Sequence, residues 1–84
     1  MYEVVFDEEA IVFLNKLDND QKERIFNKIL DTKDNPFHFF EKLSGRPEFK
    51  LRVGSHRVIV DIIQNDKVIQ ILHIGHRRNV YKKL

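Results

Sequence analysis

The sequence has 84 residues, 42% of them hydrophobic, and a formal net charge of +2. This length predicts a single domain, residues 1–84, and the hydrophobic content predicts a folded core rather than disorder. The absence of cysteine excludes a disulfide framework and a thiolate zinc site. No apolar stretch reaches the ~18 residues of a membrane span, and no signal-peptide pattern opens the chain. We therefore expect a cytoplasmic protein without a membrane partner.

The charges divide unevenly along the chain. Residues 1–41 carry five basic and ten acidic side chains, whereas residues 42–84 carry ten basic and three acidic ones. The resulting net charges of −5 and +7 sum to the +2 of the whole chain. A basic half predicts an anionic partner, although small domains are often lopsided in charge without one.

The first half of the chain predicts one strand and two helices. Tyr2–Phe6 is short and rich in β-branched residues, as strands are. Asp7 follows as a candidate N-cap, and apolar residues then recur with helical spacing in two segments. The two apolar stripes are Ala10, Phe13, Leu14 and Leu17, and Ile25, Phe26, Ile29 and Leu30. The sequence LDND separates them and Pro36 ends the second helix, which predicts a helical hairpin packed on a sheet.

Three strands follow a connection formed by residues 37–49. They are Phe49–Val53, His56–Gln64 and Lys67–Ile74. A turn at VGSH joins the first two, and a two-residue hairpin turn at Asn65-Asp66 joins the last two. The predicted order is β-α-α-β-β-β. The fold class is α+β, with the helical hairpin covering a mostly antiparallel sheet.

Basic side chains gather near the ends of the predicted strands. Lys50 and Arg52 alternate with apolar residues, and Arg57 lies just past the following turn. Arg77 follows the glycine that ends the last strand, and Tyr81 comes four residues later. A cationic surface with one aromatic ring suits a phosphodiester backbone and a stacked base. The alternative is a solvated charged face, with Arg57 paired to an acid and Tyr81 packed on the core.

The histidines invite a ribonuclease interpretation, because imidazole can act as acid and base near neutrality. His56 and His76 flank the basic residues and stay candidates for that work. His73 alternates with Ile69 and Ile71, so we expect a half-buried structural role for it. No metal site is expected, since HxH and HExxH spacings are absent and the sheet has few acids. A nuclease here would be metal-independent and would need no cofactor.

The second half of the chain also carries an ordered series of motifs. The series runs KLSGRPEFKLRVGSHRVIVDI, then a hairpin, then ILHIGHRRNVYKKL. With the length and element order, it resembles the RelE branch of the RelE/ParE toxin superfamily, which has a microbial-ribonuclease-like fold. The resemblance implies the toxin of a type II toxin–antitoxin system. Such a toxin is a ribosome-dependent endoribonuclease, or mRNA interferase, that cleaves messenger RNA in the A site and inhibits translation.

The resemblance further implies a role for each basic residue in a metal-free reaction. The ribose 2′-hydroxyl attacks the adjacent phosphate, which leaves a cyclic phosphate and a 5′-hydroxyl. Lys50, aided by Arg52, helps to deprotonate the 2′-hydroxyl, because neighbouring like charges favour loss of a lysine's proton. Arg57 stabilises the phosphorane, Arg77 stabilises or protonates the leaving oxygen, and Tyr81 stacks on or orients the nucleotide.

The expected partners are the ribosome, messenger RNA and a cognate RelB-like antitoxin with an acidic helical segment. Further residues expected to bind RNA are Arg46, His56, His76, Arg78, Lys82 and Lys83. Two alternatives stay open, a ParE-like gyrase inhibitor and an inactive toxin-derived binding module. The inactive module is favoured if Arg52 and His56, which replace a lysine and a tyrosine common in the family, disable the site.

Overall fold

The computed structural model describes residues 1–76, which form a mixed β-sheet with helices on one face. Its elements are β1 (Glu3–Phe6), α1 (Glu8–Asn15), α2 (Asn19–Asp31), α3 (Pro36–Phe39), β2 (Glu41–Lys42), β3 (Phe49–Val53), β4 (His56–Ile63) and β5 (Val68–His76). The prediction of an α+β fold is confirmed. The short elements α3 and β2 were not predicted, because the sequence presented their segment only as a connection.

The sheet has the strand order β1-β5-β4-β3-β2. Strands β2 to β5 pair antiparallel with their neighbours, and β1 pairs parallel with β5 at the edge. The amide of Asp7 continues this pairing by donating to the carbonyl of Ile71 at 2.9 Å. The last strand therefore lies between the first strand and β4, with the helical hairpin crossing the sheet above them.

Two aspartates begin the two long helices in different ways. Asp18 caps α2, since its Oδ1 accepts from the backbone amide of Gln21 at 2.9 Å. Asp7 occupies the N-cap position of α1, as predicted, but its side chain makes no cap hydrogen bond. Its Oδ1 instead accepts from Nε2 of Gln70 on β5 at 2.7 Å. Asp7 thus ties the start of α1 to the sheet.

The hydrophobic core lies between the helices and one face of the sheet. Its buried members are Ala10, Leu14, Ile25, Ile29, Phe40, Leu51, Val53, Val58, Val60, Ile69, Ile71 and Ile74. The predicted stripe of α2 is wider than the buried one, because Phe26 and Leu30 remain 42% and 38% exposed. Phe26 stacks instead on Phe6, with ring centroids 6.0 Å apart. The other sheet face has no helix over it in the described residues, and we call it the open face.

The turn between β4 and β5 differs from the prediction. It contains the four residues Gln64 to Lys67 rather than two, because Ile63 and Val68 are the last register partners. The amide of Lys67 donates to the carbonyl of Gln64 at 3.2 Å, and Lys67 itself has φ +52°. Four-residue hairpin loops are commonly built around such a turn. The left-handed residue is therefore Lys67, and neither Asn65 nor Asp66 adopts a positive φ.

Candidate active site on the open face

The β3–β4 hairpin brings two arginines together. Arg52 and Arg57 are register partners, and the turn between their strands contains only Gly54 and Ser55. Gly54 has φ +60°, which fits the first central position of a tight two-residue hairpin turn. Nε of Arg52 also donates to the carbonyl of Gly54 at 3.3 Å. The turn thus places both arginine side chains at one end of the open face.

Lys50 completes a cationic cluster, by which we mean Lys50, Arg52 and Arg57. The alternation of β3 buries Leu51 and Val53 against the helices and therefore turns Lys50 and Arg52 toward the open face. The register partner of Lys50 on β2 is Glu41. Oε2 of Glu41 lies 3.8 Å from Nζ of Lys50. One carboxylate thus lies beside three basic groups.

The cationic cluster surrounds a pocket of about 330 Å³. The residues that line it are Phe39, Glu41, Lys50, Leu51, Arg52 and Arg57. Ligand pockets in proteins start at about this volume. With basic groups for a phosphate, a carboxylate and an aromatic ring, the pocket is suited to one nucleotide of an RNA chain.

Phe39 and Glu41 were not identified from the sequence. Glu41 reaches the pocket because β2 pairs with the start of β3, and a strand of two residues has no detectable alternation. Phe39 lies in the short helix α3, whose only local signal is Pro36 at the first helical position. Both residues belong to the segment that the sequence presented as a connection.

A second charged group lies at the start of β3. Nε of Arg46 is 3.2 Å from Oε1 of Glu48, and the side chain of Arg46 is 43% exposed. Hydrogen bonding by backbone amides and then by Arg46 lowers the pKa of Glu48, and the charge of His73 adds to this effect. Arg46 therefore has a carboxylate beside it in the free protein, while much of its side chain stays open to solvent.

His73 belongs to β5 and lies near an acidic side chain of α1. Its side chain is 20% exposed, which confirms the predicted half-buried position. Its Nδ1 lies 3.1 Å from Oε2 of Glu9 at the start of α1. Its register partner Ile59 is fully buried although it is outside the helix-facing core. His73 thus links α1 to the open face beside Ile59.

The structure places His56 and His76 away from the cationic cluster. They are register partners with ring centroids 4.7 Å apart, and His56 meets the edge of the Phe13 ring of α1. His56 is only 3% exposed. Burial, and then the charge of His76, lowers its pKa. His56 faces the helices and is covered by them, so it lies outside the surface that carries the cationic cluster and is not a candidate for RNA binding.

The last part of the predicted site is not described. Arg77, Arg78, Tyr81, Lys82 and Lys83 lie outside residues 1–76. Within residues 1–76, no group of three or more histidine, cysteine, aspartate or glutamate side chains is arranged to hold a metal ion. No helix in the same range is long and apolar enough to cross a membrane.

Comparison with known proteins connects this arrangement with one family. The sequence profile described as "ParE toxin of type II toxin-antitoxin system, parDE" matches residues 4–81. The mRNA interferase toxin RelE of Escherichia coli (strain K12) is 28% identical over 79 residues, which are 90% of this chain and 83% of that protein.

Solved structures of toxin–antitoxin complexes have the same fold. The toxin in the intact E. coli RelBE complex superposes with a TM-score of 0.79 at 25% identity, over 90% of this chain and 96% of that one. A chain of the archaeal RelE–RelB complex from Pyrococcus horikoshii OT3 gives 0.78 at 26% identity, over 90% and 94%. The α+β fold of this chain is therefore that of the RelE structures.

Proposed function

This chain belongs to the family of ParE toxins of type II toxin–antitoxin systems, and from that premise we propose that it cleaves messenger RNA on the ribosome. The main observation in support of this proposal is that the cationic cluster lines one pocket on the open face. The cluster consists of Lys50, Arg52 and Arg57. The similarity to an mRNA interferase of E. coli over most of both chains supports the same conclusion. The protein would act in the cytoplasm, where translating ribosomes are.

The proposed reaction is attack by a ribose 2′-hydroxyl on the neighbouring phosphate. The O2′–P bond forms and the P–O5′ bond breaks, which gives a cyclic phosphate and a 5′-hydroxyl. Charge accumulates on the phosphate oxygens in the transition state, and guanidinium donors held at fixed positions stabilise it. Arg57 and Arg52 are held in this way by the hairpin register, and Lys50 lies on the same face.

The cationic cluster supports a metal-independent reaction. In many phosphoryl-transfer enzymes a divalent ion neutralises the charge of the reacting phosphate. Here Lys50, Arg52 and Arg57 supply three positive charges around one pocket. We assign Arg77 to the leaving oxygen and Tyr81 to nucleotide stacking. Further basic groups would bind the RNA backbone: Arg46, Arg78, Lys82 and Lys83.

A cognate antitoxin is the proposed partner of the free toxin. Each of the two complexes compared above joins a RelE toxin to its RelB antitoxin. The net charge of +7 in residues 42–84 would attract an acidic segment of a similar antitoxin. An acidic segment over the cationic cluster would also block the pocket, so binding and inhibition would share one surface.

A second candidate function is inhibition of DNA gyrase. The matching family profile is named after the toxin of the parDE system, and ParE-like toxins poison gyrase rather than cut RNA. Gyrase inhibition would not require a cationic cluster around a nucleotide-sized pocket. We therefore place it second and include it in the test.

The test adds purified toxin, freed of antitoxin, to a translating extract and maps messenger RNA ends by primer extension. Arg57→Ala removes one proposed phosphate ligand, and we expect it to slow cleavage by about 10²- to 10³-fold. Lys16→Ala removes a positive charge from an exposed position of the helical hairpin and should cleave like the wild type. A DNA supercoiling assay with gyrase runs in parallel.

Each outcome decides between the candidates. Cuts confined to translated codons and suppressed only by Arg57→Ala support the endonuclease. Intact messages together with blocked supercoiling establish the gyrase inhibitor. Intact messages with normal supercoiling leave the chain as an inactive binding module and overturn the proposed function.

A further inference from the structure

We propose that Glu41 is the group that accepts the proton of the attacking 2′-hydroxyl. This inference rests on the proposed function and names a catalytic residue in the same pocket. Glu41 was absent from the sequence-based set, and the resemblance assigns the proton to Lys50. Two properties of the Glu41 carboxylate favour it as the proton acceptor. One is its chemistry and the other is its position in the pocket.

The first reason is the supply of proton acceptors in the pocket. Among the described residues that line it, the polar side chains are Glu41, Lys50, Arg52 and Arg57. An ammonium group donates three protons and accepts none, and a guanidinium group only donates. An ionised carboxylate is acceptor-only and loses its proton well below neutral pH. Glu41 is therefore the one side chain of this set that is ready to take a proton at pH 7.

The second reason is the position of the carboxylate. Glu41 and Lys50 are register partners, and Oε2 of Glu41 lies 3.8 Å from Nζ of Lys50. Lys50 is two residues from Arg52 on the same face of β3, and Arg52 pairs directly with Arg57. The acceptor thus lies on one side of the pocket and the two guanidinium groups lie along the other. A phosphate held by the arginines would place its ribose toward Glu41.

This arrangement gives Lys50 a different role. Its ammonium group orients the carboxylate and adds positive charge beside the reacting phosphate. In the reaction, Glu41 takes the proton from the 2′-oxygen as the O2′–P bond forms. The P–O5′ bond breaks and the leaving oxygen takes a proton from water. The hydroxide formed in this way takes the proton back from Glu41, so the carboxylate is regenerated and no proton is gained or lost overall. Lys50 keeps its proton throughout.

A purely structural role for Glu41 does not fit its surroundings. Its side chain is 79% exposed, and the contact with Lys50 spans 3.8 Å. Ion pairs of such exposed groups contribute little to stability. Replacing Glu41 should therefore leave the fold intact, and a change in activity can be assigned to chemistry.

The experiment measures single-turnover cleavage of messenger RNA on purified programmed ribosomes. Glu41→Gln keeps the shape of the side chain and removes its ability to accept a proton. We expect a loss of about 10²- to 10⁴-fold in the cleavage rate. Binding to ribosomes programmed with a 2′-deoxy message, which cannot react, should stay within about twofold of the wild type, since Gln keeps an acceptor oxygen. Glu23→Gln, at an exposed position of α2, is the matched control and should behave like the wild type.

The pH dependence separates the two possible bases. An ordinary carboxylate is ionised above about pH 6 and a lysine loses its proton near pH 10. With Glu41 as the base, the wild-type rate is flat between pH 6 and 9. With Lys50 as the base, it rises throughout that range. Lys50→Ala should lower the rate and keep the flat profile.

The outcomes distinguish this inference from the function on which it rests. A wild type that does not cleave removes the proposed function and the role of Glu41 with it. A wild type that cleaves while Glu41→Gln cleaves equally well or faster overturns only the role of Glu41. A wild-type rate that rises from pH 6 to 9 returns the proton to Lys50.

Discussion

His56 and Arg57 are neighbours in the chain, and their side chains lie on opposite faces of the sheet. Arg57 belongs to the cationic cluster on the open face, whereas His56 lies 3% exposed under the helices. Its Nε2 is buried without a hydrogen-bond partner among residues 1–76. Burial lowers the pKa of His56 from 6.5, and the nearby charge of His76 adds to the effect. The native state therefore favours a neutral His56.

This histidine should make the folded state sensitive to acid. A lowered pKa in the native state means that the unfolded chain binds more protons as the pH falls below 6.5. Stability is then full above pH 6.5 and decreases toward acid. We expect the urea midpoint to fall between pH 7.5 and 5.5, and to fall less in His56→Phe, which cannot titrate.

A charged neighbour of His56 also lowers its pKa. His76 on β5 faces it, and Arg24 on α2 lines the same small cavity. The charge of His76 opposes a positive charge on His56. His38→Gln, which removes an exposed histidine, should keep the wild-type pH dependence. An unchanged pH dependence in His56→Phe would show that other groups control acid unfolding.

At the scale of the elements, one turn positions two residues of the cationic cluster. The β3–β4 hairpin aligns Arg52 with Arg57 because only Gly54 and Ser55 separate the paired strands. A Cβ on Gly54 would meet only Nη1 of Arg24, at 3.6 Å. Space is therefore available there, and the φ of +60° is what favours glycine.

Gly54→Ala should destabilise the protein through its backbone alone. A side chain at this left-handed φ costs about 1 to 2 kcal/mol, and each kcal/mol lowers the melting midpoint of a small domain by about 4 to 8 °C. Thermal unfolding followed by circular dichroism measures the change. Ser55→Ala, in the same turn without a positive φ, should melt within about 2 °C of the wild type, as exposed substitutions usually do. Equal midpoints for the two variants would contradict the strain at Gly54.

At the scale of the whole molecule, the uneven distribution of charge favours an acidic partner. The acidic half forms the helices and β1, and the basic half supplies β3 to β5 with the cationic cluster. An acidic antitoxin segment would therefore be drawn to the sheet rather than to the helical hairpin. Such attraction between exposed charges weakens as salt is added.

Co-expression with the product of the neighbouring gene tests this docking. We expect one complex in size-exclusion chromatography, with an affinity that decreases between 0.1 and about 0.5 M salt because the charges are screened. The double variant Lys50→Ala/Arg52→Ala should bind more weakly and lose part of the salt dependence. Lys16→Ala/Lys22→Ala removes the same charge from the helical hairpin and is the control. An equal effect of both double variants would place the antitoxin elsewhere.

Local patterns of the sequence determined the longer elements of this protein and the faces of its longer strands, but not α3 and β2. Helical spacing located α1 and α2, alternation placed Lys50 and Arg52 opposite Leu51 and Val53, and glycine marked the turn before β4. These features depend on neighbours within a few residues, so one sequence is enough to find them.

Only the tertiary structure decided which elements meet. It paired β2 with β3, which carries Glu41 to Lys50 across nine positions of the chain, and it put β1 beside β5. It also covered His56 with α1 and α2, whose helices supply Phe13 and Arg24. The physical reason is that periodicity tells which side chains share a face, whereas strand order and register come from packing between segments far apart in the chain.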